Sequence, residues 1–135
     1  EAGLVRLMND LGPLHIKYAR ISLDALPPAP GQGIIAVVAR ERDTDLIDLL
    51  NKASDPRARA EALAERAFLR TVGGGCHVPI GGIAIHEGDR MEFIAGMADL
   101  NGERKVIIRL SGSPLSPEEL GTNAARELLR RWGEG

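Results

Sequence analysis

The chain has 135 residues, 44% of them hydrophobic and 27% charged, and its formal net charge is −2. This length is enough for one domain with a core of its own, which needs neither disulfides nor metal. The seventeen basic and nineteen acidic residues nearly balance, which excludes a strong attraction to nucleic acid, and 3% aromatic residues exclude a base-stacking surface. The single cysteine, Cys76, excludes an internal disulfide and a cysteine-rich zinc site.

The first predicted element is a helix over residues 4–11, where Leu4, Leu7, Met8 and Leu11 recur at helical spacing. This helix begins without a capping residue, and the chain begins without a methionine, so we expect a piece of a longer protein. No stretch approaches the ~20 consecutive apolar residues that a membrane span requires. The first residues also lack the basic and apolar regions of a signal peptide.

A proline- and glycine-rich segment follows, Pro27-Pro28-Ala29-Pro30-Gly31-Gln32-Gly33, which predicts a stiff linker running into a flexible turn. Its Gly-Gln-Gly lacks the spacing of a dinucleotide- or phosphate-binding loop. The next run, Ile34–Ala39, is continuously apolar and predicts a strand buried on both faces. Because no parallel partner lies nearby, we expect its partners in missing residues. Without them the strand should be exposed or pair with another copy.

The rest of the chain predicts two helices, three strands and a final helix. Asp43 or Thr44 caps the first helix, and Asp55 before Pro56 begins the second, which Gly73 ends. The strands are predicted over 78–86, 91–99 and 103–110, with a hairpin turn at Asn101-Gly102. The last helix begins at a capping box at Ser116, and its apolar face repeats every four residues at Leu120, Ala124, Leu128 and Trp132. This order predicts an α+β domain, a three-stranded antiparallel sheet with helices on one face, and a boundary between Arg40 and Asp45.

The residues best suited to chemistry lie between the second of these helices and the first strand. Five of the sixteen glycines fall within Thr71–Gly82, around Cys76. Glycines allow close approach of a ligand, and a thiolate on an open loop is an accessible nucleophile. The other interpretation is that Cys76 is a small buried side chain at the root of the strand. The residues alone leave both interpretations open, and the three histidines show no metal-ligand spacing.

Two blocks of the sequence carry a family resemblance. The first is Pro28-Ala29-Pro30-Gly31-Gln32-Gly33 with the run that ends at Arg40, and the second is Glu65-Arg66-Ala67-Phe68-Leu69 with Gly74-Gly75-Cys76-His77-Val78-Pro79-Ile80-Gly81. They resemble the PAxGQG segment, the ER-A-L helix and the GGCxxPxG loop of the porphobilinogen deaminase family, also called hydroxymethylbilane synthase. Ile34 departs from the alanine usual in that family. The resemblance covers the whole chain but only the C-terminal part of family members, which are more than twice as long.

The resemblance implies a transferase that joins four porphobilinogen molecules into the linear tetrapyrrole hydroxymethylbilane with release of ammonia. It implies a dipyrromethane cofactor held by a thioether to Cys76, with Gly75 leaving room for a pyrrole ring. Arg6, in the stretch Ala2–Leu7 that resembles the family's AGLxRL helix, matches a cleft arginine that binds pyrrole carboxylates. The catalytic aspartate has no counterpart here, so no residue of this chain is given a catalytic role, and the chain alone is expected to be inactive.

The resemblance also implies the domain organisation and the partners. Residues 1–44 would be the end of the second, α/β domain with the linker and a strand crossing to the first domain, and residues 45–135 the C-terminal α+β domain that carries the cofactor. The complete enzyme would be a cytoplasmic monomer that meets porphobilinogen, the growing pyrrole chain and its own N-terminal domains, with no nucleic acid, membrane or metal. The alternative is a stand-alone α+β binding or interaction module in which Cys76 is structural.

Overall fold

The computed structural model describes residues 2–12, 17–73 and 79–134. Within these ranges the chain forms three helices, then three strands, then a final helix. Their bounds are α1 (Ala2–Leu11), α2 (Thr44–Ala53), α3 (Pro56–Val72), β1 (Ile80–Glu87), β2 (Arg90–Ala98), β3 (Lys105–Gly112) and α4 (Pro117–Gly133). None of the described helices has both the length and the apolar composition that crossing a bilayer requires.

The three strands form an antiparallel meander with β2 in the middle. A tight turn through Gly88 joins β1 to β2, and this glycine takes a left-handed conformation, φ 62°, which costs a residue without Cβ little. α3 and α4 pack against each other and against one face of the sheet. The predicted α+β fold, a three-stranded antiparallel sheet with helices on one face, is therefore confirmed.

The core lies between this helix pair and the sheet. Phe68 of α3 and Phe93 of β2 are fully buried, with ring centroids 5.0 Å apart. Met91, Ile108 and Leu128 are further large side chains that are fully buried in this core, whereas Ile94 is fully buried but does not belong to it. The repeat predicted for the last helix is confirmed, because Leu120, Ala124 and Leu128 are buried and Trp132 packs against the core.

Local sequence signals set the ends of α3. The Asp55 carboxylate accepts hydrogen bonds from the backbone N–H groups of Arg57 and Ala58, as predicted for an N-cap. Gly73 ends the helix in a left-handed conformation, φ 65°. The capping box predicted at Ser116 is wrong in one respect: α4 begins there, but the Ser116 side chain makes no capping hydrogen bond. The backbone of Ser116 has φ −128° and ψ 57°, which is not the extended conformation in which an N-cap hydroxyl reaches the N–H groups of the first turn.

The strand predicted over residues 34–39 is not formed. These residues are irregular, and the side chains of Ile35, Val37 and Val38 are 91%, 68% and 90% exposed. A strand buried on both faces needs neighbours on both sides, and none of the described strands pairs with this run. The prediction of burial is therefore wrong for this chain, whereas the expectation of exposure in the absence of partners agrees with the structure.

Candidate functional site

The predicted cofactor residues Cys76 and Gly75 lie in 74–78, outside the described residues. The two elements that flank these five residues are described. On one side, Gly73 closes α3 by donating its N–H to the Leu69 carbonyl oxygen. On the other side, the Pro79 carbonyl oxygen accepts a hydrogen bond of 2.9 Å from the Ala98 N–H of β2. The residues on either side of 74–78 thus belong to elements of the folded core.

Arg6, the third predicted site residue, lies on α1 with an exposed side chain. Within the described ranges, α1 does not pack extensively against α3 or the sheet. The structure therefore does not bring Arg6 together with the ends of the cysteine loop. Both the role of Arg6 and that of Cys76 stay predictions.

The proline-rich segment is not a free linker but packs on the sheet face opposite the helices. We call residues 22–33 the strap. Pro27 is buried between two glycines of the sheet, since a Cβ built on Gly81 would lie 2.2 Å from the Pro27 carbonyl oxygen and one on Gly96 would lie 3.2 Å from the proline ring. Because Gly81 and Gly96 have no side chains, Pro27 of the strap can pack directly on the sheet.

Charged groups of β3 fasten the first part of the strap. The Arg109 guanidinium lies 2.7 Å from a carboxylate oxygen of Asp24 in the strap and 2.7 Å from one of Glu92 on β2. The Lys105 ammonium donates to the Ala25 carbonyl oxygen at 3.3 Å. The two carboxylates raise the pKa of Arg109 further, so its charge is constant. Because these groups are exposed, their ion pairs contribute little to the free energy of unfolding, and their main effect is on the position of the strap.

The outer edge of β1 is occupied by acceptors from other segments. Alternate N–H groups of an edge strand point away from its neighbour and need partners. The N–H of Gly82 donates to the Pro28 carbonyl oxygen of the strap at 2.8 Å. Those of Ala84 and His86 donate to the α3 carboxylates of Glu65 and Glu61, at 3.0 and 2.9 Å.

Glu65 has the least exposed charged side chain of the described residues, at 4%. One carboxylate oxygen accepts from Ala84 of β1, and the other accepts from the Gly31 N–H of the strap. Burial raises the pKa of this carboxyl, although both backbone hydrogen bonds act in the opposite direction; the nearby charge of Glu61 also raises it. The carboxyl therefore joins three chain segments at a cost in desolvation.

A cavity of about 200 Å³ lies between the strap and the sheet. Its lining is mainly apolar, with strap residues 25–27 on one side and Pro79, Ile80 and Gly81 on the other; Lys105 stands at its rim. It therefore borders the first described residues after the cysteine loop. Its lining offers apolar contacts and a single cation, which suits neither a metal nor general acid–base chemistry by itself.

Sequence reasoning missed the strap and Glu65. Two signals were available for Glu65. It stands beside the buried stripe of α3 rather than opposite to it, next to Ala64 and three residues before Phe68. It also follows Glu61 at a spacing of four, which places two like charges side by side on a helix and costs free energy unless other groups compensate. For the strap, the presence of glycines at positions 81 and 96 was compatible with close backbone approach but did not say by which segment.

Comparisons with known proteins agree with the resemblance read from the sequence. The family model described as porphobilinogen deaminase, C-terminal domain, matches residues 59–130, a stretch that runs from α3 into α4 and includes 74–78. A probable porphobilinogen deaminase of Pyrobaculum arsenaticum is 52% identical over 134 residues, which are 99% of this chain and 43% of that protein. A probable porphobilinogen deaminase of Hyperthermus butylicus is 49% identical, over 96% of this chain and 41% of its own length, and a porphobilinogen deaminase of Roseiflexus castenholzii is 47% identical, over 98% and 42%. The chain thus spans about two fifths of the length of these relatives.

Proposed function

The chain belongs to the porphobilinogen deaminase family, and from that premise we propose that it is the C-terminal, cofactor-anchoring part of a hydroxymethylbilane synthase. The complete enzyme is a cytoplasmic, monomeric transferase that condenses four porphobilinogen molecules into hydroxymethylbilane and releases ammonia. The observation that carries the proposal is the family match across α3, the cysteine loop and the sheet. In this proposal residues 45–135 are the cofactor-attachment domain, and residues 1–44 are the end of the second domain with the crossing segment.

Cys76 is the anchor in this proposal. The donor set fits a dipyrromethane, because a thiolate is a soft nucleophile that forms a stable thioether with a carbon electrophile, and three consecutive glycines precede it. When bound, the dipyrromethane supplies the pyrrole carbon to which the next unit is added. The chain's own residues hold it: Cys76 by the covalent bond, Gly75 by leaving room for a ring, and Arg6 by pairing with a pyrrole carboxylate in the complete protein.

The described elements on either side of residues 74–78 support this proposal. α3 ends at Gly73 and β1 begins at Ile80, and both elements belong to the packed core. In this proposal the covalent group lies between two packed elements and not on a free tail, which favours one orientation of the growing product. Contacts to the substrate itself belong to upstream domains.

The proposal is tested by the intact mass of the complete protein and of its Cys76→Ser variant. We expect the wild-type protein to carry the additional mass of one dipyrromethane, mapped to the peptide that contains Cys76, and to give a positive Ehrlich colour reaction. Cys76→Ser should lose both, together with all turnover of porphobilinogen. His77→Ser, one position away in the same loop, is the control and should keep the adduct. An unmodified Cys76 in a protein that still turns over porphobilinogen would contradict the assignment of the anchor. An unmodified Cys76 with no turnover would favour a stand-alone binding module.

We also propose that this chain alone is inactive, because the family's catalytic aspartate and most of its cleft arginines have no counterpart in it. Incubation of the 135-residue chain with porphobilinogen is expected to consume none of it and to yield no ammonia. Measurable release of ammonia above the uncatalysed rate would show that the chemistry needs no upstream domain.

A further inference from the structure

A single side chain joins the strap to both elements that carry the cysteine loop. Glu65 lies on α3, about two turns before Gly73, where the loop leaves the helix. Its Oε1 accepts a hydrogen bond of 3.0 Å from Ala84 of β1, the strand that the loop enters. Its Oε2 accepts from the backbone N–H of Gly31 in the strap. The carboxylate therefore connects the element before the loop, the element after it and the strap.

Protection of the β1 edge does not by itself explain this arrangement. Glu61, one turn earlier on α3, already bonds the next edge N–H, that of His86, with a side chain that is 27% exposed. Glu65 is buried much more deeply, and desolvation raises the pKa of its carboxyl. What Glu65 does in addition is to bond the strap. We therefore associate the desolvation cost of burying the Glu65 carboxylate with its hydrogen bond to the strap.

The strap has a defined turn at this contact. Gly31 and Gly33 adopt left-handed conformations, φ 83° and 89°, and the Gln32 N–H donates to the Ala29 carbonyl oxygen. Gly31 presents its N–H to Glu65 from within this turn. Beyond it, residues 34–40 leave the sheet as irregular chain. The contact with Glu65 is therefore the last described hydrogen bond that ties the strap to the domain before the chain leads away from it.

We propose that Glu65 is a positioning residue whose carboxylate clamps the strap to α3 and β1, so that the strap moves as one body with the two elements on either side of residues 74–78. The proposal rests on the proposed function only in taking Cys76 as the anchor. As a consequence, the strap sets the position of the anchored cofactor relative to the upstream domains. Bending of the complete enzyme then occurs on either side of residues 22–33 and not within them.

The test compares Glu65→Gln with Glu61→Gln in the complete protein, using amide hydrogen exchange. A glutamine at 65 keeps one acceptor oxygen, but its NH₂ group faces the second donor, so only one of the two bonds survives. We expect exchange at Gly31, at Ala84 or at both to become about 10-fold faster in Glu65→Gln, and the whole strap to lose protection. Glu61→Gln is the matched control, on the same helix and the same strand edge. It should affect His86 and leave Gly31 unchanged. The clamp would be overturned if Gly31 and Ala84 both exchanged as slowly in Glu65→Gln as in Glu61→Gln.

A second measurement separates positioning from simple stability. In Glu65→Gln we expect the adduct on Cys76 to be retained and kcat to fall about 10-fold with little change in KM, because a small misplacement of reacting groups is costly. Glu61→Gln should keep its kcat. A wild-type kcat in Glu65→Gln with a freed strap would overturn the positioning role. Absence of any adduct in the wild-type protein would overturn the proposed function and leave the exchange result valid.

Gly81→Ala gives an independent route if Glu65→Gln does not fold. The added Cβ would meet the Pro27 carbonyl oxygen at 2.2 Å and displace the strap while Glu65 stays intact. We expect faster exchange at Gly31 with Ala84 still protected. Full protection of Gly31 in this variant would show that the strap is not held as one unit, contrary to the proposal.

Discussion

Replacing Gly121 by alanine is expected to destabilise the C-terminal domain by about 2–3 kcal/mol, although alanine is the better helix former by about 1 kcal/mol. The reason is the close approach of α4 to α3. A Cβ built on Gly121 would lie 1.9 Å from the Ala64 carbonyl oxygen and 3.1 Å from the Phe68 nitrogen. Both are backbone atoms of a helix, so no side chain can move aside, and the helices must separate.

Gly133→Ala is the matched control, because Gly133 belongs to the same helix and a Cβ there would meet nothing within 4 Å. We expect this variant to be as stable as the wild type or slightly more stable. Urea unfolding followed by circular dichroism measures both, and the midpoint should fall for Gly121→Ala with little change in slope. Equal midpoints for the two variants would mean that the helix pair is less closely packed than described.

Phe68→Ala is expected to lower the free energy of unfolding by about 3–5 kcal/mol. This is a large part of the total free energy of unfolding of a single domain, which is about 5–15 kcal/mol. Phe68 is fully buried, stacks at a tilt on Phe93 and fills the space that a side chain at Gly82 of β1 would occupy. Removing the ring leaves a cavity in the middle of the core. Leu69→Ala, at the next position and 40% exposed, should cost about 1 kcal/mol or less. Similar losses for the two variants would contradict the placement of the core.

A double-mutant cycle with Gly82→Ala makes this prediction sharper. A Cβ at Gly82 would lie 2.9 Å from the Phe68 ring, so Gly82→Ala alone should destabilise the domain. In the Phe68→Ala background the same methyl group enters the cavity instead of meeting a ring. We expect a coupling free energy of about 1 kcal/mol or more between the two positions. Additive effects would show that the ring and this glycine are not in contact.

The part of the fold that is coded locally could be predicted from the sequence. Asp55 with Pro56 and Gly73 mark the ends of α3, and the four-residue repeat from Leu120 marks the buried face of α4. Both signals depend on residues close together in the chain, and both are confirmed. The hairpin turn at Asn101-Gly102 is also present, with Gly102 at φ 74°, although β3 begins two residues later than predicted.

The elements that depend on distant partners could not be predicted in this way. The apolar run from Ile34 to Ala39 has the composition of a buried strand, but composition does not supply the neighbouring strands, so the run is irregular and exposed. The proline-rich segment was interpreted as a linker, because its stiffness is local whereas its docking depends on glycines more than 50 positions away. Glu65 was missed for a similar reason, since its two hydrogen-bond donors come from separate segments.

For the candidate site, the resemblance did more than physical reasoning on the residues. The chemistry of one thiol on a predicted glycine-rich loop left both a structural cysteine and an anchored cofactor open. The family match decides the family. Residue periodicity has no means of distinguishing the two, because both place Cys76 between a helix and a strand.

The strap also sets the order in which the chain can fold. Lys105 and Arg109 lie 80 and 85 positions after the strap residues that they contact, which are among the most distant contacts in the chain. Contacts of such long range close large loops and form late, whereas the meander and its hairpin turns form from near neighbours. The strap is synthesised before the sheet, and the surface on which it packs is not complete until β3 has been synthesised. Until then the apolar residues of the strap have no sheet to pack against, and fast elongation or chaperones reduce their non-native contacts.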